Sequence, residues 1–237
     1  MENASYTTLT RQSGLMREMS VIANNIANAN TTGYRQEGLV FSEVIQHVND
    51  APSLSMATAR ARATSLQSGT LTQTGGPLDV AIDGEGFFLI RTPEGERLSR
   101  AGHFMPNAAG DLVTPDGHAV LDAGGAPLFV PATAGKITIA NDGTMSADGN
   151  ILGQIGVVKP STGTQIIRED GVHFRADGAI EPNLDGRVQQ GFLEGSNVNS
   201  MGQIARMIEV QRAYEMGQSF ADSENERLRN AVRNIIK

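Results

Sequence analysis

Asp79, Asp83 and Glu85 stand at alternate positions in "LDVAIDGEGFF", where they could share one face of a strand. Carboxylates so paired suggest general acid and base chemistry of the glycosidase type. Two features argue against it. Asp83 and Glu85 flank a turn glycine, and no surrounding apolar wall raises either pKa. The glycines of "DGEGFF" also suggest a phosphate cradle, but no helix pattern follows them, as that chemistry requires. A plain turn between two strands explains them. "NDGTMSADGN", Asn141 to Asn150, spaces oxygen side chains suggestively, yet it lacks the closing Glu and ligand order of an EF-hand. Two successive Asp-Gly turns account for it better. The four histidines, at 47, 103, 118 and 173, lack metal-ligand spacing and are expected on loops. No residue is assigned as catalytic, cofactor-binding or metal-ligating, and no cofactor is expected.

Composition narrows the class further. Among 237 residues 39% are hydrophobic, only 5% are aromatic, and none is Trp. Such a chain supports a compact core over part of its length rather than all of it. A net charge of -7 is the wrong sign for a nucleic-acid footprint. The absence of cysteine excludes disulfides, thiolate metal sites and cysteine nucleophiles. No apolar run approaches the length needed to span a bilayer, so no membrane insertion is expected. The opening "MENASYTTLTRQSGLMREMS" has neither a basic n-region nor an apolar h-region, and is not expected to be a cleaved secretory signal.

The elements that must position any site separate by texture. From about 78 to 194 short apolar runs of period two recur, among them "LDVAI", "GFFLI", "KITIA" and "QIGVV". Between them lie seven Asp-Gly dipeptides, from Asp83-Gly84 to Asp185-Gly186. Asp-Gly supplies the positive φ that tight hairpin turns demand, so an antiparallel all-β domain of short strands, a barrel or a sandwich, is expected. The uneven spacing of these turns speaks against a solenoid binding module. Residues 51–70 are twelve parts in twenty Ala, Ser and Thr and read as an extended connector. Before it, "LVFSEVIQHV" from Leu39 to Val48 leaves strand and helix both open.

Both ends are helical. Leu15, Met19, Ile22, Ile26 and Ala29 recur at 4, 3, 4 and 3, one seam of a coiled-coil-like helix, which Gly33 is suited to close in a left-handed conformation. At the other end Ile204, Gln211, Gln218, Asn225 and Val232 fall on one heptad letter. Met207, Tyr214, Ala221, Leu228 and Ile235 fall on the other. Asn199 or Ser200 could cap this helix, whose reach is roughly 50 Å at about 1.5 Å per residue. The alternative is an ordinary amphipathic helix packed on its own β domain; the matching seams favour pairing of the two ends. The expected fold is α+β: a central β domain at 78–195, an N-terminal axial helix at 1–34, a connector at 35–77 and a C-terminal axial helix at 196–237.

Asparagines crowd the end of the first helix, at Asn24, Asn25, Asn28 and Asn30, although Asn is a poor helix-interior residue. Asn25 flanks the apolar stripe, while Asn24 and Asn28 face away from it. No charged residue occurs from Ser20 to Gly33. An uncharged, amide-bearing outer face suits a helix touched by protein on several sides. Together with the two seams these asparagines are the expected assembly interface.

Three segments carry a resemblance. "SVIANNIANANTTGYR" resembles the N-terminal signature of the bacterial flagellar axial proteins, the rod and hook family. "GPLDVAIDGEGFF" is similar to the opening of their β domain, and "GFLEGSNVNSMGQIARMIEVQRAYE" to the start of their C-terminal helix. The three long motifs occur in family order and span nearly the whole chain. Length and N-terminal lead-in are most similar to the proximal-rod members, with the distal-rod members as close relatives. Arg35-Gln36 departs from the basic pair common at that point. The resemblance implies a non-enzymatic building block whose terminal helices form the inner tube of a filament, with the β domain outside. It implies export through the flagellar type III apparatus, assembly in the periplasm with other rod subunits, and a monomer when purified. A glycosidase reading gains its one motive here, since a rod crosses peptidoglycan. The physical expectation is that both ends are largely disordered in dilute monomer and order on assembly.

Overall fold

A computed structural model of the chain describes the backbone of residues 2–46, 54–183 and 185–235, and side chains at 8–40, 63–183, 185–227 and 229–233. The chain divides into two compact units. The first comprises Met1–Ala27, Glu37–Ser65 and Asn199–Lys237; the second comprises Asn28–Gln36 and Leu66–Val198.

Four elements make the first unit: α1 (Glu2–Ala27), β1 (Glu37–Gln46), β2 (Leu54–Thr64) and α2 (Ser200–Ile235). The ambiguous segment after the first helix is thus a strand as far as Gln46, and residues 47 and 48 lie outside the described residues. The Ala-, Ser- and Thr-rich run is extended, but it is paired. β2 lies antiparallel to β1 from Glu37↔Thr64 to Gln46↔Leu54, with a bulge at Val40/Phe41. Ladder hydrogen bonds, rather than an apolar period, hold such a strand, which is why its sequence reads as connector. α1 packs against both strands and against α2. Asn199 is the cap of α2: its Oδ1 accepts the N–H of Gly202 at 3.0 Å.

Among the described residues the second unit carries sixteen short strands. They begin with β3 (Leu71–Gln73), β4 (Val80–Asp83), β5 (Phe87–Thr92), β6 (Gly95–Ser99), β7 (Met105–Pro106) and β8 (Leu112–Val113). Next come β9 (Ala119–Val120), β10 (Ile137–Ile139), β11 (Thr144–Ala147), β12 (Asn150–Gln154) and β13 (Val157–Pro160). The series ends with β14 (Gln165–Asp170), β15 (His173–Asp177), β16 (Ile180–Pro182), β17 (Arg187–Gln190) and β18 (Phe192–Glu194). The main sheet runs β14-β15-β6-β5-β9-β8-β7, with β13 joining β5 to β16. Smaller sheets are β10-β11-β12, β17-β4 and β18-β3. These paths are open, so of the two expected β architectures the closed barrel does not form.

β5 explains the core. Its Phe88 enters a cluster with Val80, Phe104, Leu112, Val120 and Met145, while Phe87 and Leu89 enter a second with Leu98, Leu121 and Phe174. A strand buried on both faces reads as an unbroken apolar run, as "GFFLI" does. Edge-to-face ring pairs join each cluster, Phe88–Phe104 at 5.3 Å and Phe87–Phe174 at 5.8 Å. Turn chemistry follows the sequence closely: of the seven Asp-Gly glycines, only Gly186 lacks a positive φ.

Candidate assembly interface

In the first unit the two terminal helices lie against each other antiparallel. Asn25 meets Gln203 at one end, Glu18 meets Arg206 further along, and Gln12 approaches Gly217 beyond. The Arg206–Glu18 contact is 2.7 Å, and hydrogen bonds to Glu18 and then Glu209 hold the Arg206 guanidinium above its ordinary pKa.

Asn25 shows why an amide belongs in this helix. It is buried, its Oδ1 accepts the N–H of Glu37 at 3.0 Å, and its Nδ2 donates to the C=O of Glu37 at 2.8 Å. One side chain thereby satisfies both backbone groups of the residue that opens β1, and its Nδ2 also donates to Gln203 Oε1 at 3.2 Å. Asn28 Oδ1 accepts the Thr31 hydroxyl at 3.1 Å in the turn after the helix. Asn24 and Asn30 are exposed.

The α1 seam is wider than the sequence stripe. Leu15, Met19, Ile22 and Ile26 are buried or half-buried, and so are Gly14, Glu18, Val21 and Asn25 beside them. A helix contacting two strands and a second helix needs both stripes. On α2 the buried or half-buried line is Gln203, Met207, Val210, Tyr214, Gly217, Ala221 and Glu224. It shares Met207, Tyr214 and Ala221 with the sequence seam and lies one residue earlier at the other heptad letter. Ile204, Gln211, Gln218, Asn225 and Val232 are exposed on the single chain, and the side chains of Leu228 and Ile235 lie outside the described residues. The opposite side of α2 also bears exposed apolar side chains among its polar ones, with Met201 81% and Met216 66% exposed and Ile208 and Phe220 about half exposed.

The second unit holds a buried ionic cluster that sequence reasoning missed. Glu194 Oε1 lies 2.9 Å from Arg35 Nη2, and Oε2 lies 3.2 Å from Arg100 Nε, with all three side chains almost fully buried. Gly69 N–H donates to Glu194 at 2.8 Å, Arg35 donates to the Gln67 carbonyl, and Arg100 donates to the Gly84 carbonyl at 2.5 Å. Burial lowers both arginines from their ordinary values, Arg100 to about 10, while the Glu194 charge opposes the shift. Both remain cations at neutral pH. Beside them Gly33 takes φ +70° and donates its N–H to the Glu194 carbonyl at 2.7 Å. This left-handed glycine is not the cap of α1, which ends at Ala27. A Cβ there would meet the Ala101 nitrogen at 2.3 Å, so the close approach of two backbones requires Gly.

Two of the three carboxylates weighed for catalysis, Asp79 and Asp83, are otherwise engaged. Asp79 accepts the Thr74 hydroxyl at 2.6 Å and lies 2.6 Å from His103 Nδ1. Burial pushes its carboxyl up, but the bonds to Thr74 and His103 and the His103 charge outweigh this and hold it below its usual range. Asp83 Oδ2 accepts from Gln189 at 3.0 Å. His118 and His173, by contrast, come together, with ring centroids 5.3 Å apart. Strand order brings them there, which linear spacing could not reveal.

Three family models match the chain: "Flagella basal body rod protein" at residues 6–35, "Flagellar hook protein FlgE/F/G D1 domain" at 81–147, and "Flagellar basal body rod FlgEFG protein C-terminal" at 189–234. The flagellar basal-body rod protein FlgF of Caulobacter vibrioides is 36% identical, over 100% of this chain and 99% of its own. FlgF of Mesorhizobium japonicum is 36% identical over 91% and 90%. The rod protein FlgG of Bacillus subtilis is 29% identical over 98% of each. The first and last of these models cover the helices and the Arg35 and Glu194 segments just described, and with relatives at this identity end to end the chain belongs to the flagellar basal-body rod protein family.

Proposed function

We propose that the chain, a structural subunit of the flagellar basal-body rod, serves in the proximal rod and joins its neighbours through α1 and α2. The assembled tube then carries torque from the motor to the hook, by packing and without catalysis. The observation that carries this reading is the set of large apolar side chains that α2 leaves exposed on the side away from α1. One side meets α1, and the other leaves Ile204, Ile208, Met216 and Phe220 in solvent. A helix used only within its own chain would keep one apolar stripe. Neighbouring rod subunits cover the second side, and there the ends adopt coiled-coil-like packing. Exposed Gln211, Gln218, Asn225 and Asn24 offer amides across those contacts. The higher identity to the FlgF relatives than to the Bacillus FlgG favours the proximal over the distal rod. Delivery through the flagellar type III apparatus to the periplasm completes the reading.

The test is Ile208→Asp with Met216→Asp. Both positions are exposed, so stability should change by no more than about 0.5 kcal/mol each. Returned to a strain lacking the gene, the double variant should fail to restore swimming and should leave rods incomplete in isolated basal bodies. Normal swimming halos would overturn the proposal.

A further inference from the structure

We infer that Asp116, His118 and His173 form a binding site for one divalent cation of the zinc class. Two of the Asp-Gly turns build it. Between β8 and β9, Thr114 N–H donates to the His118 carbonyl at 2.8 Å and Gly117 N–H donates to the Thr114 carbonyl at 2.9 Å. Gly117 takes φ +83°, and this tight loop places Asp116 and His118 on either side of it. Between β14 and β15 the register shifts so that Asp170 stands opposite His173 around Gly171. Ligand atoms of Asp116, His118 and His173 all lie within 4.8 Å of one another. Among the described residues no other group of three His, Asp or Glu side chains converges in this way.

Two further observations point to a ligand. His173 is buried, and its Nδ1 lies 2.7 Å from Asp170 Oδ1. A carboxylate on one imidazole nitrogen fixes the tautomer and presents the other as a basic lone pair, the arrangement that supports metal-binding histidines. His118 Nδ1 is shielded from solvent and has no hydrogen-bond partner, an unusual state for a ring nitrogen. Two imidazoles and one carboxylate suit zinc and its first-row neighbours, whereas calcium and magnesium take oxygen ligands. Zinc bonds of about 2.0–2.1 Å put tetrahedral ligand atoms roughly 3.3 Å apart. Asp116 is exposed, so its carboxylate is free to close that difference. Three protein ligands leave a fourth position for water or for a side chain of another molecule. The bound ion clamps the β8–β9 turn to the β14–β15 turn.

The test uses full-length, untagged, metal-stripped protein. Zinc titrated by calorimetry should bind at one equivalent and raise the Tm, and cobalt should give the visible absorption of a tetrahedral site. Asp116→Asn and His118→Ala should each weaken zinc at least tenfold. Asp170→Asn, which alters only the support of His173, should weaken it about 10- to 100-fold. Asp116 and Asp170 are exposed, so those two variants should keep the parent circular dichroism. His103→Ala, at the separate pair with Asp79, should bind as the parent does. No binding, tighter calcium than zinc, or equal affinity in all four variants would overturn the site.

Discussion

A carboxylate buried between two guanidiniums is tolerable only while all three charges are present, because each has lost its water and holds the others as replacement. Glu194→Gln removes the single anion and leaves Arg35 and Arg100 facing each other. The expected cost is about 3–5 kcal/mol, read from urea unfolding. Asn25→Ala leaves the buried N–H and C=O of Glu37 without their amide partner, a loss of about 1–3 kcal/mol wherever α1 is formed, and should lower the thermal stability of isolated rods rather than of the dilute monomer. Asp79 gives a pH dependence. Its folded pKa is depressed, so its contribution to stability is complete above its unfolded value near 4 and is lost as pH falls through the lower folded value. Asp79→Asn should therefore flatten the acid limb of a stability profile below about pH 4 and lower stability at neutral pH. Residue identities made Asp79, Gly33 and the asparagines visible in the sequence. Arg35–Glu194 and His118–His173 were not visible, because nothing local in either segment refers to the other.

Elements were legible where periodicity is strong. The C-terminal helix, its cap at Asn199 and the Asp-Gly hairpins stand where the sequence puts them, since each depends on residues within one or two turns, whereas α1 ends at Ala27, well short of residue 34. The face a helix presents is a weaker signal. α2 has apolar residues on both sides, so a 3-4 alternation can be drawn through 204, 211 and 218 or through 203, 210 and 217 with equal regularity. The packed line passes through Gly217, and this glycine offers a test. An added Cβ would meet Gln12 Cγ at 3.6 Å, an ordinary contact, while the helix gains a better helix former. Gly217→Ala should raise the helix content of the dilute protein in circular dichroism, since Ala favours a helix over Gly by about 1 kcal/mol. The β1–β2 pair was the least legible element, for long-range ladder bonds leave no mark on an Ala- and Thr-rich run.

At the level of the whole chain, the two units differ in what holds them. The β-rich unit closes two apolar clusters of its own, whereas much of α2 lies in water with apolar side chains unspent. α1 and α2 span 26 and 36 residues, so a monomer with both fully formed would be roughly a quarter helical. Dilute protein should fall clearly below that in circular dichroism. Amide exchange should protect β5 and β6 strongly and the far half of α2 weakly.

The pairing of β3 with β18 and of β4 with β17 has a kinetic corollary. The domain's first strands find their partners only in its last ones, so no fragment ending before residue 187 can complete either ladder. Such distant pairings slow the search for the native topology. A nascent or threading polypeptide therefore stays without these two ladders until nearly all of the domain has emerged, and then closes head to tail.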